Sequence, residues 1–217
     1  VLERAPATLT LACAALLISV VLGIPAGIVA AVKRNSVSDA VIRVLALLGQ
    51  CMPAFWLGIM LIMLFAVKLG WMPTGGAEDG LRSLILPAFT LGVFSAATIC
   101  RLLRSNLIEV LGKEYIDVAK AKGLPKSKII GKHALKNAMS SIITILGMQF
   151  ASLLGGSVIT EQVFAWPGVG RLVIQSITTS DFAVVECIVF LMAVIFVVIN
   201  FIVDVLYCVI NPRVRLQ

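Results

Sequence analysis

The residue types that most often perform chemistry are few in this chain and are not clustered. His133 is the only histidine, and it lies among lysines. The five cysteines have no paired spacing, and no His, Cys and carboxylate residues share a metal-ligand spacing. The phosphate-binding pattern Gly-x-x-x-x-Gly-Lys-Ser/Thr does not occur, and no Ser, His and acid combination indicates a nucleophile. The sequence therefore predicts no catalytic centre, no metal site and no cofactor bound by this chain.

Polar side chains inside apolar segments are the remaining candidates for function. Ionisable groups are costly in a bilayer, so Glu186 and Asp204 are functional candidates by default. Glu186 is near the end of its segment and suits either the membrane surface or a transport pathway. Asp204 favours a structural pair with a basic residue. Gln149, in another apolar segment, is a candidate for lining a pathway.

The composition identifies the environment in which these residues act. Of 217 residues, 60% are hydrophobic and 13% are charged, whereas soluble domains carry roughly 25% charged residues. One core of this size cannot bury so much apolar surface, so the sequence predicts an all-α polytopic membrane protein in contact with lipid. Much of the net charge of +7 lies in the stretch Arg101–Lys136. This uneven distribution of charge indicates the orientation of the chain in the membrane and a docking surface, and it disfavours nucleic acid as a partner.

Apolar runs long enough to cross a bilayer, which takes about 20 residues, predict about five transmembrane helices. The first contains Gly23 and Gly27, a spacing that suits either close helix packing or a kink beside Pro25. The second contains Pro53, which frees a backbone carbonyl group inside the membrane. The predicted spans are Leu9–Val32, Val44–Val67, Leu84–Cys100, Ala138–Thr160 and Phe182–Ile210.

Lysine and arginine residues concentrate on one side of these spans. They are frequent between the first two spans, in the stretch 101–137 and in the C-terminal tail, and scarce in the opposite loops. The positive-inside rule then places the N-terminus outside and the C-terminus in the cytoplasm. We predict one transmembrane domain over 1–217, with a cytoplasmic loop at 101–137 and an extracytoplasmic loop at 161–181. Because the sequence begins at Val1 rather than Met, we expect an N-terminal part to precede it.

The cytoplasmic loop has the pattern of a helix, a tight turn and a second helix. Asn106 and Glu109 form a plausible capping pair that opens the first helix. Gly123 can adopt the left-handed conformation that ends it, and Pro125 can begin the next. A solvated basic loop that only enforces topology is the alternative, but such a loop does not need apolar faces at helical spacing. The predicted face of the first helix is Leu107, Val110, Leu111, Tyr115, Val118 and Ala119.

This loop resembles the cytoplasmic "EAA" loop of permease subunits of bacterial ATP-binding cassette (ABC) importers. The family pattern is Glu-Ala-Ala, three residues, Gly, nine residues and Ile-x-Leu-Pro, and here Val118-Ala119, Gly123 and Leu135 have the matching spacing. The chain departs from the pattern in four places, where Asp117 replaces the Glu, Val118 the first Ala, His133 the Ile and Lys136 the Pro.

In that family the loop forms coupling helices, which sit in a cleft of an ATPase subunit. The resemblance implies that Asp117, a shorter acid than Glu, pairs with an ATPase arginine. It also implies the coupling residues Asp117, Ala119, Ala121, Gly123, Leu124 and Leu135.

Three further stretches resemble the dipeptide/oligopeptide/nickel branch of the same family, so that the resemblance covers essentially the whole chain. They are Leu153–Leu172, Pro6–Leu9, and Asp204-Val-Leu-Tyr with Asn211–Arg215. Members of this branch carry one more N-terminal span, so the resemblance implies six transmembrane helices in the full chain and the fold of an ABC type I importer permease.

The outer loop carries the sequence Phe164-Ala-Trp-Pro-Gly-Val-Gly. One interpretation is an aromatic anchor at the membrane surface. The other, favoured partly by the resemblance, is a re-entrant segment at the outer gate of a pathway. The predicted pathway or outer-gate residues are Glu161, Phe164, Trp166, Pro167, Gly168 and Gln149.

The resemblance implies a permease subunit of an ATP-driven importer in the bacterial inner membrane, translocating di- or oligopeptides by alternating access. It implies four kinds of partner: a second permease, two ATPase subunits holding ATP and Mg, an extracytoplasmic binding protein, and lipid. The alternative substrate is nickel or a nickel chelate. The alternative class is a stand-alone secondary transporter, which predicts mid-membrane ionisable residues and inverted repeats.

Overall fold

The computed structural model describes residues 1–210, apart from the side chains of Ser140, Gly156, Val203, Asp204 and residues 206–210. The predicted pair of Asp204 and the family-like stretch at 211–215 therefore lie outside the described part. Residues 1–210 form helices and connecting turns with no strand, as predicted. The helices are α1 Ala5–Val32, α2 Val37–Cys51, α3 Ala54–Leu61, α4 Leu81–Leu111, α5 Glu114–Ala121, α6 Lys126–Lys128, α7 Lys136–Gly156, α8 Val158–Val163, α9 Val169–Thr178 and α10 Phe182–Ile210.

Two π-helical stretches extend this set. Residues Ile62–Lys68 continue α3, and residues Ile129–Leu135 join α6 to α7. Within the described chain, three helices are long and apolar enough to cross a membrane, namely α1, α4 and α10, and the number rises to five if each of two bent pairs is one span. The bent pairs are Val37–Cys51 with Ala54–Lys68, and Lys126–Met139 with Ser141–Gly155.

The predicted second span, Val44–Val67, is not one straight helix. It begins earlier, at Val37, and turns by 102° between α2 and α3. Met52 and Pro53 are extended there, with ψ of 130° and 132°. Proline has no N–H to donate and disfavours the helical conformation of the residue before it, so α2 ends at Cys51.

The predicted third span, Leu84–Cys100, is much shorter than α4. The helix runs without interruption from Leu81 to Leu111, so the pair Asn106 and Glu109 lies inside it and does not open a new helix. Pro87 lies within this helix. The helix of the predicted cytoplasmic loop, α5, instead begins at Glu114, after the break at Gly112 and Lys113.

The predicted fourth span, Ala138–Thr160, is shifted. Helical structure begins upstream at Lys126, α7 ends at Gly156, and the short helix α8 follows from Val158. The fifth span, Phe182–Ile210, has the bounds predicted for it.

Helices α1 and α4 pack with their backbones close together. A Cβ atom on Gly23 would come within 2.8 Å of the Ala96 carbonyl oxygen, and one on Gly92 within 2.9 Å of the Ala15 carbonyl oxygen. Small residues at such positions permit the close approach that stabilises helix pairs in lipid. Gly23 and Gly27 therefore serve close packing, and α1 continues through Pro25 without interruption.

A buried ion pair joins the start of α2 to α4. The guanidinium group of Arg104 donates to both carboxylate oxygens of Asp39, at 2.7 and 2.8 Å. The Asp39 side chain is 0% exposed and that of Arg104 is 20% exposed. The backbone N–H of Asn35 donates to the same carboxylate at 3.0 Å. This bidentate geometry fixes the chain entering α2 against α4.

Candidate functional site

The corner after α5 has the geometry of a Schellman motif. The N–H of Gly123 donates to the Lys120 carbonyl at 2.9 Å, and that of Leu124 donates to the Ala119 carbonyl at 3.3 Å. Gly123 has a φ of +73°, in the left-handed region that glycine adopts without a Cβ penalty. The glycine corner predicted from the sequence is therefore present, and Pro125 precedes the next helix.

One face of α5 anchors it to the rest of this chain. Ile116 and Ala119 are 0% and 7% exposed and belong to the same apolar cluster as Leu103 and Leu107 of α4. Leu124 and Leu135 pack against this cluster and are partly buried.

The opposite face of α5 is open to a partner. Tyr115 and Val118 are 41% and 54% exposed, and Asp117, Ala121 and Gly123 are also exposed. The predicted apolar face is thus divided between an inner and an outer side. Of the predicted coupling residues, Ala119, Leu124 and Leu135 anchor α5 and the following corner in the apolar cluster, whereas Asp117, Ala121 and Gly123 lie at the surface.

Asp117 is placed so that it can change its ion-pair partner. Its carboxylate accepts from Lys120 at 2.7 Å, and the Asp117 and Lys120 side chains are 68% and 56% exposed. Surface pairs of this kind contribute about 0–1 kcal/mol, so an incoming arginine could replace Lys120 at little cost. The surrounding lysines of this loop are all exposed: Lys113, Lys122, Lys126, Lys128, Lys132 and Lys136.

At the other end of α4, the segment containing α8 and α9 folds back into the protein around a buried carboxylate. The Glu161 side chain is 0% exposed. Its Oε1 accepts from the hydroxyl groups of Thr8 and Ser157 at 2.8 and 2.9 Å, and its Oε2 accepts from the backbone N–H of Arg171 at 3.0 Å. The Thr8 hydroxyl also accepts from the backbone N–H of Val169 at 2.8 Å. Glu161 therefore ties α8 and α9 to α1. We refer to residues 157–171 as the fold-back.

The two aromatic residues of the fold-back are interior rather than interfacial. Phe164 is 2% exposed and packs with Leu61 and Leu86 between α3 and α4. Trp166 is 5% exposed, and its indole N–H donates to the Ala7 carbonyl at 2.9 Å. Burial inside protein contradicts a lipid anchor, for which the rings would lie at the membrane surface.

The turn of the fold-back is tight and locally strained. Ala165 has a φ of +50°, which is unfavourable for a residue with a Cβ. Its carbonyl accepts from the Arg171 side chain at 2.6 Å, and the N–H of Gly76 donates to the Phe164 carbonyl at 2.9 Å. Gly168 is buried against the Glu161 carboxylate, and Pro167 is partly buried. Five of the predicted outer-gate residues thus lie together.

Gln149 lies elsewhere, in a cavity of about 470 Å³ beside the bend between α2 and α3. The cavity is also lined by Gln50 and Thr98, and the Gln50 side chain donates to the Thr98 hydroxyl at 2.9 Å. Gln149 is therefore separate from the fold-back cluster. Glu186 is exposed on α10 in the single chain.

Sequence reasoning missed the partners of these groups. Thr8 was only part of a family-like stretch, Arg104 was counted only as a charge, and Asp39 was not singled out. A signal for Asp39 was available in Ser36, whose hydroxyl accepts from the Asp39 N–H as an N-cap at 3.3 Å.

Residues 23–216 match the family described as binding-protein-dependent transport system inner membrane component. The chain is 40% identical over 239 residues to the di/tripeptide transport system permease protein DppB of Pseudomonas aeruginosa, covering 98% of this chain and 71% of that protein. It is 43% identical over 208 residues to the glutathione transport system permease protein GsiC of Escherichia coli, covering 96% of this chain and 68% of that protein.

Solved structures share the fold. The inward-facing MetNI methionine ABC transporter matches with a TM-score of 0.82 and 19% identity, covering 97% of this chain and 95% of the matched one. An amino acid ABC transporter matches with a TM-score of 0.76 and 17% identity, covering 95% and 92%. The chain therefore has the fold of an ABC transporter permease.

Proposed function

Because the chain belongs to the family of binding-protein-dependent transport system inner membrane components, we propose that it is the permease subunit of an ATP-driven importer of short peptides. The observation that carries the substrate class is the identity of 40% and 43%, over 98% and 96% of the chain, to permeases named for di/tripeptides and for glutathione. Glutathione is itself a short peptide, so both names point to one class of substrate.

The proposed partners are a second permease, two ATPase subunits and an extracytoplasmic binding protein. ATP and Mg belong to the ATPase subunits, since this sequence has no Gly-x-x-x-x-Gly-Lys-Ser/Thr pattern. The outer face of α5 supports the ATPase contact, because it presents Tyr115, Val118 and Asp117 on a helix whose other face is anchored in the core. A helix of this kind suits a groove in another protein. In this proposal, the C-terminus and the outer face of α5 lie on the cytoplasmic side of the membrane.

Two other functions have less support. The names of these two relatives do not include nickel, and the described residues hold no group of three or more His, Cys, Asp or Glu that could bind a metal ion. A stand-alone secondary transporter would not need the binding protein from which the family takes its description.

The test is uptake into proteoliposomes that hold the full transporter and its binding protein. Labelled dipeptide and labelled nickel are supplied separately, with ATP, with a non-hydrolysable ATP analogue and with no nucleotide. We expect dipeptide entry only with hydrolysable ATP. Nickel entry alone would refute the peptide assignment, and entry without ATP would refute the ATP-driven class.

A further inference from the structure

The cavity beside the α2–α3 bend has a lining that is polar but uncharged. Gln50 and Gln149 contribute amide groups, and Ser95, Thr98 and Ser152 contribute hydroxyl groups. No residue that lines it in the described structure is Asp, Glu, Lys, Arg or His.

The backbone at the bend adds further polar groups. The last carbonyl groups of α2 and the first N–H groups of α3 have no partners within their own helices, and Pro53 contributes no side-chain cap. Non-helical backbone at membrane depth is tolerated only where it is buried in protein or lines a water-filled cavity. The lining residues 91–98 lie in the middle of α4, which places the bend at such a depth.

Exposure to lipid tails does not account for these groups. Two amide side chains and a broken backbone facing hydrocarbon would lose their hydrogen bonds to water. Gln50 donates to Thr98, whereas the Gln149 side chain has no hydrogen-bond partner among the described residues. Gln149 is therefore available for a ligand.

The size and openness of the cavity fit a substrate. Its volume of about 470 Å³ lies within the range of roughly 300–1,000 Å³ found for small-molecule sites. Phe94, on its wall, is 44% exposed, and Cys51, Pro53 and Ser152 are also exposed. The cavity therefore opens at the surface of this chain, where the proposed second permease could complete it.

We infer that this cavity is a recognition site for the main chain of the peptide, with Gln50 and Gln149 as its specificity-determining residues. The inference rests on the proposed peptide import. A peptide group carries one donor and one acceptor and no charge, and a primary amide side chain matches both. A charged wall would favour one side-chain charge and reject the other, so the neutral wall admits peptides that differ in side-chain charge.

The experiment uses the reconstituted transporter with its binding protein and three dipeptides, with neutral, acidic and basic side chains. The variants are Gln149→Leu, Gln50→Leu and Gln149→Glu. Gln175→Leu is the matched control, because Gln175 is exposed on α9, away from the cavity. Binding-protein-stimulated ATP hydrolysis is measured in the same samples to normalise for assembled transporter.

We expect both Leu variants in the cavity to lower the uptake of all three dipeptides by roughly 5- to 10-fold, the loss for one hydrogen bond. Gln149→Glu should raise the ratio of basic to acidic dipeptide uptake by about tenfold or more. This ratio is measured within one preparation, so partial misfolding does not change it. A merely structural role for Gln149 would leave the ratio at its wild-type value.

The outcomes separate the inference from the proposed function. Wild-type transporter that takes up no dipeptide with ATP would overturn the proposed function and this inference with it. Wild-type uptake combined with an unchanged ratio in Gln149→Glu would overturn the inference alone. Loss of uptake in Gln175→Leu equal to that in Gln149→Leu would also overturn it.

Discussion

The contact between Gly168 and Glu161 allows a quantitative prediction. Gly168 has an ordinary extended conformation, with φ −91° and ψ −178°, so alanine causes no backbone strain there. A Cβ atom at this position would, however, overlap the Cδ and carboxylate oxygen atoms of Glu161. Gly168→Ala must therefore displace the carboxylate from the hydroxyl groups of Thr8 and Ser157 or from the N–H of Arg171.

The magnitude follows from two terms. Overpacking costs about 1–3 kcal/mol, and the loss of at least one hydrogen bond to a charged group costs about 1.5–3 kcal/mol. We expect Gly168→Ala to reduce the free energy of unfolding by about 2.5–6 kcal/mol. For a chain of this size that lowers the melting temperature by at least about 5 °C. The assay is thermal unfolding of the full-length transporter in detergent, followed by size-exclusion chromatography.

A double-mutant cycle isolates the cause. Glu161→Ala destabilises on its own, because it leaves the donors of Thr8, Ser157 and Arg171 without their acceptor, but it also removes the group with which the added methyl group would collide. Gly168→Ala should then cost less than about 1 kcal/mol in that background. Gly155→Ala is the control, since a Cβ there meets no atom within 4 Å. Equal losses from Gly168→Ala in both backgrounds would refute the steric reasoning.

Three other predictions concern the helix contacts and the glycine corner. Asp39→Asn should cost about 3–5 kcal/mol because Arg104 is left without its counter-ion, and thermal unfolding should show partial recovery when Arg104→Leu is added. Gly123→Ala should disfavour the left-handed corner by about 1–2 kcal/mol and lower the number of peptides imported per ATP hydrolysed. Gly123→Asn should have a smaller effect, because asparagine tolerates this conformation. Equal numbers of peptides imported per ATP for both variants would contradict the assignment of this corner to the coupling element. Gly92→Ala should cost about 1–3 kcal/mol, because its Cβ would come within 2.9 Å of the Ala15 carbonyl oxygen, and an unchanged melting temperature would disprove that contact.

Local signals in the sequence predicted local structure well. The apolar run from Phe182 to Ile210 has the bounds of α10. Gly123 ends its helix with a positive φ, as expected of a glycine before a proline corner. Pro53 was identified as a breaker, but the 102° turn at this residue was not. Hydropathy measures the length of an apolar run and carries no information on its direction, which depends on what α2 and α3 pack against.

Contacts between distant residues could not be predicted from one sequence. Thr8 lies 153 positions before Glu161, and Asp39 lies 65 positions before Arg104. Counting charges assigned Arg104 to the cytoplasmic surface. Its pairing with a buried acid could not be predicted, because that pairing depends on the packing of α2 against α4. The division of the predicted α5 face into a buried and an exposed side could not be predicted for a similar reason. Periodicity shows that Tyr115 and Ala119 lie on a helix but does not show which of the two the core covers.

Helix α4 is long enough to link the α5 corner mechanically to the fold-back. Its 31 residues span about 46 Å at 1.5 Å per residue, which exceeds the hydrocarbon thickness of about 30 Å. One end is two residues from α5, and near the other end Leu86 contacts Phe164 of the fold-back. A rigid rod of this length that tilts by about 10° about one end moves its other end by roughly 8 Å. A small tilt at the α5 end would therefore displace the Leu86 end, against which Phe164 of the fold-back packs, without any change within the helix itself.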